Sequence, residues 1–437
     1  MVLGLGISGR AAARFAAAHG ASLVLTDTRI DIARDGLPQG ELHLGAESED
    51  WLHGVDFIVA SPGVPPTSAL LRAARASAIP VMGELELASQ FITAPMVAVT
   101  GTNGKSTVTM LAGEIFKAAG MKTFVGGNLG TPLIEAAQAE AAQVEFDAAV
   151  VEVSSYQLET IATFKPKVAI HLNLSEDHLD RYRDLDEYGR AKARIFENQD
   201  ASDWAILNRD DPEVWKLAGN IRSRVFSFGT SLPAKNPAIW FERGALVFDD
   251  GRRRGRIGLD DFKLPGRHNL SNAMAAAAAA LALDVDPLVI ERAFERFSGL
   301  PHRTEFVCEK DGVAFIDDSK GTNVGAVIEA LAGVRGPVIL IAGGTDKGGD
   351  YAPLRAPLVE KVRLLILIGA AREKMRAALE GATTIAPVPT LSEAVRLAAS
   401  VARRGDSVLL SPACSSFDQF KDYAERGRIF QELVRAL

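Results

Sequence analysis

The sequence predicts an α/β protein of three domains, each built on a mostly parallel, doubly wound sheet. Three observations carry this. Short apolar runs of strand length alternate with helix-length, often Ala-rich segments along most of the chain, which is the pattern of parallel strands joined by crossover helices. The chain starts afresh twice, with a second strand and glycine loop at residues 96–107 and a further set of strands after Phe297. The length of 437 residues suits two to four domains at roughly 100–200 residues each.

The first block, residues 1–91, reads as Rossmann-like. A short strand at 1–3 leads into Gly4-Leu5-Gly6-Ile7-Ser8-Gly9 and an Ala-rich helix over 10–19. A strand at 22–26 ends at Asp27, and another at 56–60 runs into the Pro/Gly loop 61–66. The first strand is shorter than the usual inner strand of about 5–6 residues, so a longer natural N-terminus is expected.

The second block, 92–297, reads as a P-loop ATPase-like parallel sheet with a small β region. A strand at 96–100 meets Gly101-Thr102-Asn103-Gly104-Lys105-Ser106-Thr107, and a helix follows to Gly120. Buried strands are expected at 148–153 and 168–174, shorter strands and turns over 204–262, and a helix over 273–283 after the loop 264–269. The basic run Arg252-Arg253-Arg254 follows Asp249-Asp250-Gly251 and reads as a hairpin turn and a solvated strand start. The third block, 298–437, is again Rossmann-like, with strands at 338–342, 364–368 and 407–411.

Composition excludes several classes. Apolar residues make up 47% and charged residues 24%, ordinary for a globular protein. The net charge of −7 disfavours a nucleic-acid partner, which calls for a basic face. Cys308 and Cys414 form no metal-type or redox-type pair, which fits a reducing compartment. No apolar run is long enough to span a bilayer, and the glycine-broken N-terminus does not read as a signal peptide. A cytoplasmic protein without membrane insertion is expected.

The strongest local signal is 101–107. Glycines let backbone N–H groups close on phosphate oxygens, and the following helix N-terminus adds its dipole. Lys105 would reach the β/γ-phosphates and Ser106 would bind Mg²⁺. Gly4-x-Gly6-x-x-Gly9 with Asp27 about 20 residues on fits a bound pyrophosphate, whether of a dinucleotide or of a UDP-sugar. Glu152 lies in an apolar strand, where a carboxylate is costly unless paired or bound to a cation, as in a Mg²⁺ site behind a phosphate loop. His178 follows a strand end, where ligands collect in open sheets, although alone it reads as a helix-start histidine. Lys192, in Ala191-Lys192-Ala193-Arg194, by itself reads as a solvated helix lysine. Arg303, Asp318, Lys320, Lys347 and the 411–417 segment follow successive strands or turns and suggest an anion-binding rim. Cys414 has no identifiable base beside it and reads as a small buried thiol.

Taken in order, these motifs resemble the Mur ligase family over the whole chain. The carriers are 101–107, Glu-Val-Ser-Ser-Tyr-Gln-Leu-Glu at 152–159, Ser-Glu-Asp-His-Leu-Asp-Arg-Tyr at 175–182 and His-Asn-Leu-Ser-Asn at 268–272. Leu-Pro-His-Arg at 300–303, Asp-Asp-Ser-Lys-Gly-Thr-Asn at 317–323 and Ser-Pro-Ala-Cys-Ser-Ser-Phe-Asp-Gln-Phe at 411–420 look like the branch that adds D-glutamate. The Asp-Asn-Pro-Arg signature of the diaminopimelate-adding branch is not found.

The resemblance implies roles. Ile7, Ser8, Asp27, Thr28, Arg29 and Ser61 would hold the UDP part of UDP-N-acetylmuramoyl-L-alanine, and Asn128 its sugar. Gly101 to Thr107, with Lys105 at their centre, would hold the ATP phosphates. Asn269 and Asn272 would serve the nucleotide, Asn272 at the adenine; Asp318 would take the ribose, and Arg303 and Lys320 the phosphates. Ser106 and Glu152 would form one Mg²⁺ site. His178 would form the other, with Lys192 carried as a carbamate. Thr322, Lys347, Ser416 and Tyr423 would form the D-glutamate pocket; position 423 is tyrosine where phenylalanine is common.

The implied reaction is ATP-dependent amide formation through an acyl phosphate and a tetrahedral intermediate, in a monomer whose domains close on the reactants. Two rivals come from other classes. An NAD-dependent oxidoreductase leaves Lys105, Ser106 and Glu152 unexplained, and a non-catalytic P-loop switch leaves the third-block rim unexplained. A folylpolyglutamate-type ligase, or another Mur ligase, is the nearest rival in kind.

Overall fold

The computed structural model of the chain describes every residue except Leu179, Asp180, Lys263 and Pro265. Two members of the 175–182 motif and Pro265 of the 264–269 loop therefore lie outside the described residues. The chain forms two compact units. One comprises 1–173, 189–262 and 272–296; the other comprises 174–188, 263–271 and 297–437.

The first unit holds two sheets. Strands β1 (Val2–Leu3), β2 (Val24–Asp27), β3 (Glu41–Leu44), β4 (Ile58–Ala60) and β5 (Val81–Gly83) form a parallel sheet in the order β3-β2-β1-β4-β5. The order reverses at β1, which places a crevice at the carboxyl ends of β1 and β4. Leu3, Ile58 and Ala60 form a buried core with Leu70, Leu71 and Ala74 of the helix Ala69–Ala76.

The second sheet takes β6 (Met96–Thr100), β7 (Thr123–Gly127), β8 (Ala148–Glu152), β9 (Val168–His171), β10 (Trp204–Asn208), β11 (Arg224–Gly229), β12 (Ala238–Glu242), β13 (Ala245–Asp249) and β14 (Arg254–Gly258). Its order is β14-β13-β12-β11-β10-β9-β6-β8-β7. Pairing is parallel from β7 through β12, and β12–β13–β14 are antiparallel. The basic run is indeed a hairpin turn and the start of β14. The expected helix at 273–283 begins earlier and spans Arg267–Ala282, so the polar residues 268–272 belong to its first turns.

The second unit carries β15 (Glu305–Lys310), β16 (Val313–Asp317), β17 (Val338–Gly343), β18 (Val362–Ile368), β19 (Thr384–Pro387) and β20 (Ser407–Leu410), ordered β15-β16-β20-β17-β18-β19. Only β15–β16 is antiparallel. Along β17, Val338, Leu340 and Ala342 enter one core while Ile339 and Ile341 enter the other. A strand covered on both faces must be apolar throughout, and the unbroken run 338–342 made this strand readable.

A short helix, Glu84–Ser89, follows the first sheet and carries two buried carboxylates, Glu84 and Glu86, 2% and 1% exposed. Glu86 accepts from the backbone of Ala162, Thr163 and Phe164 (2.8–3.0 Å) and from the Thr163 hydroxyl. Glu84 caps the helix Leu133–Ala141 through Ile134 N–H (2.7 Å), while its Oε2 has no partner among the described residues. Burial pushes the Glu84 carboxyl up to about 7, against the pull of the helix-start N–H groups. A carboxyl with a raised folded-state pKa lends stability below its ordinary value of 4.5, and that stability is lost as pH rises through about 7. Glu84→Gln removes this slope. Between pH 5 and pH 8, thermal or urea unfolding should shift in the variant's favour relative to wild type, by up to about 3 kcal/mol. Parallel pH profiles for the two proteins would show that Glu84 does not titrate in this range.

Candidate active site

In the first sheet, the glycine loop after β1 meets the loop after β4. Gly9, in the first turn of the helix Ile7–Ala18, lies so close to the loop after β1 that a Cβ there would run into the Gly4 carbonyl and come within 2.8 Å of Ser61 Oγ. That close approach is the physical reason for glycine at the third position of the motif. A cleft of about 410 Å³ results, and all six residues matched to the UDP site, Ile7, Ser8, Asp27, Thr28, Arg29 and Ser61, line it. Asp27 accepts from Leu5 N–H (2.7 Å) and from the backbone and guanidinium of Arg29 (2.9–3.0 Å). Burial works to raise its pKa, but these donors hold it below the ordinary carboxylate value. Asp27 therefore stays an acceptor, and the half-exposed Arg29 stays a cation at the cleft edge.

In the second sheet, β6 delivers the chain to Gly101, and the helix Lys105–Ala118 leaves the loop. Gly104 sits at φ +85°, and a side chain on it would collide with Asn272 Oδ1. Asn272 therefore lies directly against the glycine loop. Asn173 at the β9 end shapes the loop from below: its Oδ1 accepts from Thr102 and Asn103 N–H (3.1 and 2.8 Å), and its Nδ2 donates to Asn103 O (3.0 Å). Lys105 Nζ donates to the carbonyls of Gly101 (2.9 Å) and Thr102 (2.8 Å). Ser106 and Thr107 are buried at the helix start.

Glu152 ends β8 and is 3% exposed, so its carboxylate is buried and not a surface-facing strand position. Its Oε1 accepts from Asn128 Nδ2 at 2.7 Å, and its carbonyl from Asn128 N–H at 2.8 Å. The residue matched to the sugar thus orients the residue matched to Mg²⁺. Lys192 corrects its local reading outright. It is 1% exposed and donates to Gly101 O at 2.9 Å. A buried lysine in contact with the phosphate loop is not a solvated helix residue.

The second unit gathers a different set. A cavity of about 220 Å³ is lined by His178, Thr322 and Lys347, together with Asp177, Asn323 and Tyr351. Lys347 Nζ lies 3.4 Å from Thr322 Oγ1 and 3.6 Å from Asp177 Oδ1. These contacts are long, so the ammonium is weakly committed and available to an incoming carboxylate. His178 adopts φ +57°, which corrects the helix-start reading. Ser416 and Tyr423 do not line this cavity. Ser416 is buried beside the bridge that ties Ser415 to Thr345, and the Tyr423 ring lies under Lys320 Nζ at 5.2 Å.

Arg303 and Lys320 come from adjoining loops, since Lys320 N–H donates to His302 O at 3.0 Å. Asp318 is fully enclosed: it accepts from Ser411 Oγ (2.6 Å) and Thr304 N–H (3.1 Å). Burial raises its carboxyl to about 6, opposed by the Ser411 hydrogen bond and the Arg303 charge. Asn269 is buried in the first turn of its helix. Cys414 is fully buried, and desolvation lifts its thiol to about 11; it is no nucleophile.

Known families match all three parts of the chain. The Mur ligase MurD-like N-terminal domain matches residues 1–83, the Mur ligase middle domain 99–280, and the Mur ligase glutamate ligase domain 302–414. The chain is 48% identical over its full length to a UDP-N-acetylmuramoylalanine--D-glutamate ligase of Geotalea daltonii, covering 97% of that protein. It is 47% identical, with the same coverage, to one from Geobacter metallireducens.

The chain belongs to the Mur ligase family.

Solved structures agree on the fold. A pseudomurein peptide ligase type C from Methanothermus fervidus superposes with a TM-score of 0.66 at 20% identity, covering 100% of this chain and 99% of that one. The UDP-N-acetylmuramate-alanine ligase of Thermotoga maritima gives 0.61 at 18%, covering 100% and 98%.

This Mur ligase also holds residues that its motifs do not announce. Arg426 is 1% exposed, and its guanidinium reaches Ser319 Oγ and O (2.9 Å each) and the carbonyls of Cys414 and Ser415 (3.3–3.4 Å). It joins the loop carrying Lys320 to the loop carrying Ser416. Among the described residues, the one His/carboxylate group with metal-like spacing is His302, Glu305 and Asp317. It is knit together by His302–Asp317 (2.7 Å) and by Gln431 bridging both acids (2.9–3.0 Å), which is a structural network rather than the metal site implied by the motifs. Asn173 could have been suspected from its place at a strand end facing the loop.

Asn173 yields a prediction for this Mur ligase. Asn173→Ala leaves the loop N–H groups without their side-chain acceptor. The KM for ATP should rise about ten-fold, the scale of one or two lost hydrogen bonds, while affinity for the UDP-linked substrate, measured calorimetrically, stays within two-fold. An unchanged ATP KM would mean that the loop holds its shape without this side chain.

Proposed function

We propose that this Mur ligase joins D-glutamate to UDP-N-acetylmuramoyl-L-alanine, driven by ATP, in the synthesis of peptidoglycan precursors. The observation that carries the reading is its identity of nearly half, end to end, with D-glutamate ligases. The weakly held Lys347 in the second-unit cavity supports it, since D-glutamate brings two carboxylates and needs a cation. A cytoplasmic monomer fits, because ATP and UDP-linked sugars are cytoplasmic metabolites. The domain limits that go with the reading are 1–91, 92–297 and 298–437.

A carboxylate is a poor acyl donor, because its charge is delocalised and its leaving group would be oxide. Transfer of the γ-phosphoryl group of ATP onto it gives an acyl phosphate. Lys105, with the N–H groups at the helix start, holds the phosphates in line, and Arg303 and Lys320 offset charge on the group in flight. D-glutamate, held through its carboxylates by Lys347 and Thr322 with Ser416 and Tyr423, then attacks the acyl carbon through its neutral amine; the nitrogen gives up one proton to solvent and the tetrahedral intermediate expels phosphate. ATP and Mg²⁺ are the family's co-substrate and metal. The donor set fits the metal: Glu152 and Ser106 are buried oxygen donors at the phosphate loop, the ligand type Mg²⁺ prefers. When bound there, Mg²⁺ neutralises phosphate charge. His178, with Lys192, would hold a second ion.

The reading is tested by ATP-dependent phosphate release with UDP-N-acetylmuramoyl-L-alanine and each of D-glutamate, L-glutamate, meso-diaminopimelate and L-alanine. D-glutamate alone should support turnover. Turnover with diaminopimelate or L-alanine instead would move the chain to another branch of the family.

Lys192 fits carbamylation. Both Lys192 and Lys105 donate to the Gly101 carbonyl at 2.9 Å, so two like charges lie no farther apart than twice that distance. A cation there would repel Mg²⁺, whereas a carbamate reverses the sign and supplies oxygen ligands. Lys192→Ala should lose nearly all activity, and a short-chain carboxylic acid should restore part of it in a concentration-dependent way. Full activity of the variant, or rescue by amines alone, would make Lys192 a plain structural or cationic residue.

A further inference from the structure

His171 ends β9, one residue before the chain turns toward Asn173, and is 1% exposed. Neither ring nitrogen has a hydrogen-bond partner among the described residues. Its register partner on β6 is Thr100, 0% exposed, whose hydroxyl also has no partner. Register partners on parallel strands point to the same face of the sheet. That face is covered by the turn Arg194–Phe196, which continues the helix carrying Lys192, and the His171 and Phe196 rings lie 6.5 Å apart. Lys192 is a near neighbour: it donates to the carbonyl of Gly101, the residue after Thr100, and its charge acts on the His171 ring. Three buried polar atoms thus stand unmatched beside one buried lysine.

Buried polar groups in folded proteins are nearly always satisfied, and each one left unmatched costs about 1–3 kcal/mol. With Lys192 unmodified, burial first, and then the charges of Lys192 and Lys105, push the imidazole pKa down to about 3; burial, the largest cause, still favours the neutral ring once Lys192 is modified. A neutral imidazole offers one N–H, and Thr100 offers one O–H. Two unmatched donors in the neighbourhood of one buried lysine would match a small anion carried on it.

We propose that His171 and Thr100 are positioning residues that bind the oxygens of a carbamate on Lys192 and set how readily it forms. The inference rests on the carbamate reading of Lys192 given above. In the step itself, the lone pair of neutral Lys192 Nζ attacks the carbon of CO₂, one C=O π pair moves to oxygen, and Nζ releases one proton to solvent. The reaction is reversible, so donors to the product anion raise the carbamylated fraction at a given CO₂ concentration. The two side chains act on the modification and not on the phosphoryl transfer.

The test uses the full-length protein with ¹³C-bicarbonate, reading the carbamate carbon by NMR at fixed pH. Wild type should show a saturable signal that is absent in Lys192→Ala. In His171→Leu the bicarbonate needed for half-saturation should rise about ten-fold or more, the loss implied by one hydrogen bond to an anion. Thr100→Val, nearly isosteric, should shift it in the same direction, and His171→Gln, which keeps a donor, should lie between wild type and His171→Leu. If His171→Leu fails to fold, Thr100→Val and His171→Gln decide. Wild-type half-saturation in the folded variants overturns the proposal while leaving the carbamate intact, as when the donors serve only a buried water. No Lys192-dependent signal in wild type overturns the carbamate and this inference together.

Discussion

The phosphate loop is organised around one carbonyl. Gly101 O accepts from the ammonium of Lys105 and from that of Lys192, and the strand delivering it, β6, lies between β8, which ends in Glu152, and β9, which ends in His171. A buried lysine, Lys192, and a half-buried one, Lys105, on one acceptor make a site whose natural occupants are anions. Phosphate, a carboxylate or a carbamate relieves the repulsion that the bare protein carries. The fold supports this by rigid means: Asn173 fixes the loop backbone, and Asn272 closes on Gly104 so tightly that only glycine fits there.

The second unit shows the same economy with one arginine. Among the described residues Arg426 has no carboxylate in hydrogen-bond contact; its donors go to a hydroxyl and to carbonyls of two loops. Burial lowers its pKa to about 10, which still leaves it charged at neutral pH. A buried guanidinium matched by carbonyl dipoles fixes geometry through its planar fork. What it fixes is the spacing between the Lys320 loop and the Ser416 loop, each followed or preceded by residues matched to substrate.

The parts of the fold that could be read in the sequence were those whose physics is local. The strand at 96–100 emerged with its bounds intact, because an apolar run ends at glycine and a phosphate loop. The strand at 338–342 was equally plain, being apolar on both faces. The 204–262 stretch was legible only as short strands and turns. Its polar exposed positions hide that β10, β11 and β12 continue the parallel sheet before the β13–β14 hairpin closes it. The helix from Arg267 was placed six residues late, since His, Asn and Ser have low helix propensity and the stabilising contacts there are tertiary. Lys192 and His171 were beyond local reading for one reason: burial is decided by what packs against a residue, and neither Arg-Ala-Lys-Ala-Arg nor Val-Ala-Ile-His announces its neighbours.

The helix Glu84–Ser89 shows how strongly that neighbourhood governs chemistry. Glu84 and Glu86 are two residues apart and almost equally exposed, 2% and 1%. Desolvation acts on both and favours the neutral acid. Glu86 meets four donors from the Ala162–Phe164 turn and its pKa falls below the ordinary value. Glu84 meets only the N–H groups at the start of the Leu133–Ala141 helix, feels the negative charge of Glu135 as well, and rises to about 7. Glu84 lies deeper from solvent and has fewer donors than Glu86, and both differences favour its neutral form. Burial and partners act together at the phosphate loop as well, where a buried lysine and an unmatched histidine become intelligible only once the groups they face are counted.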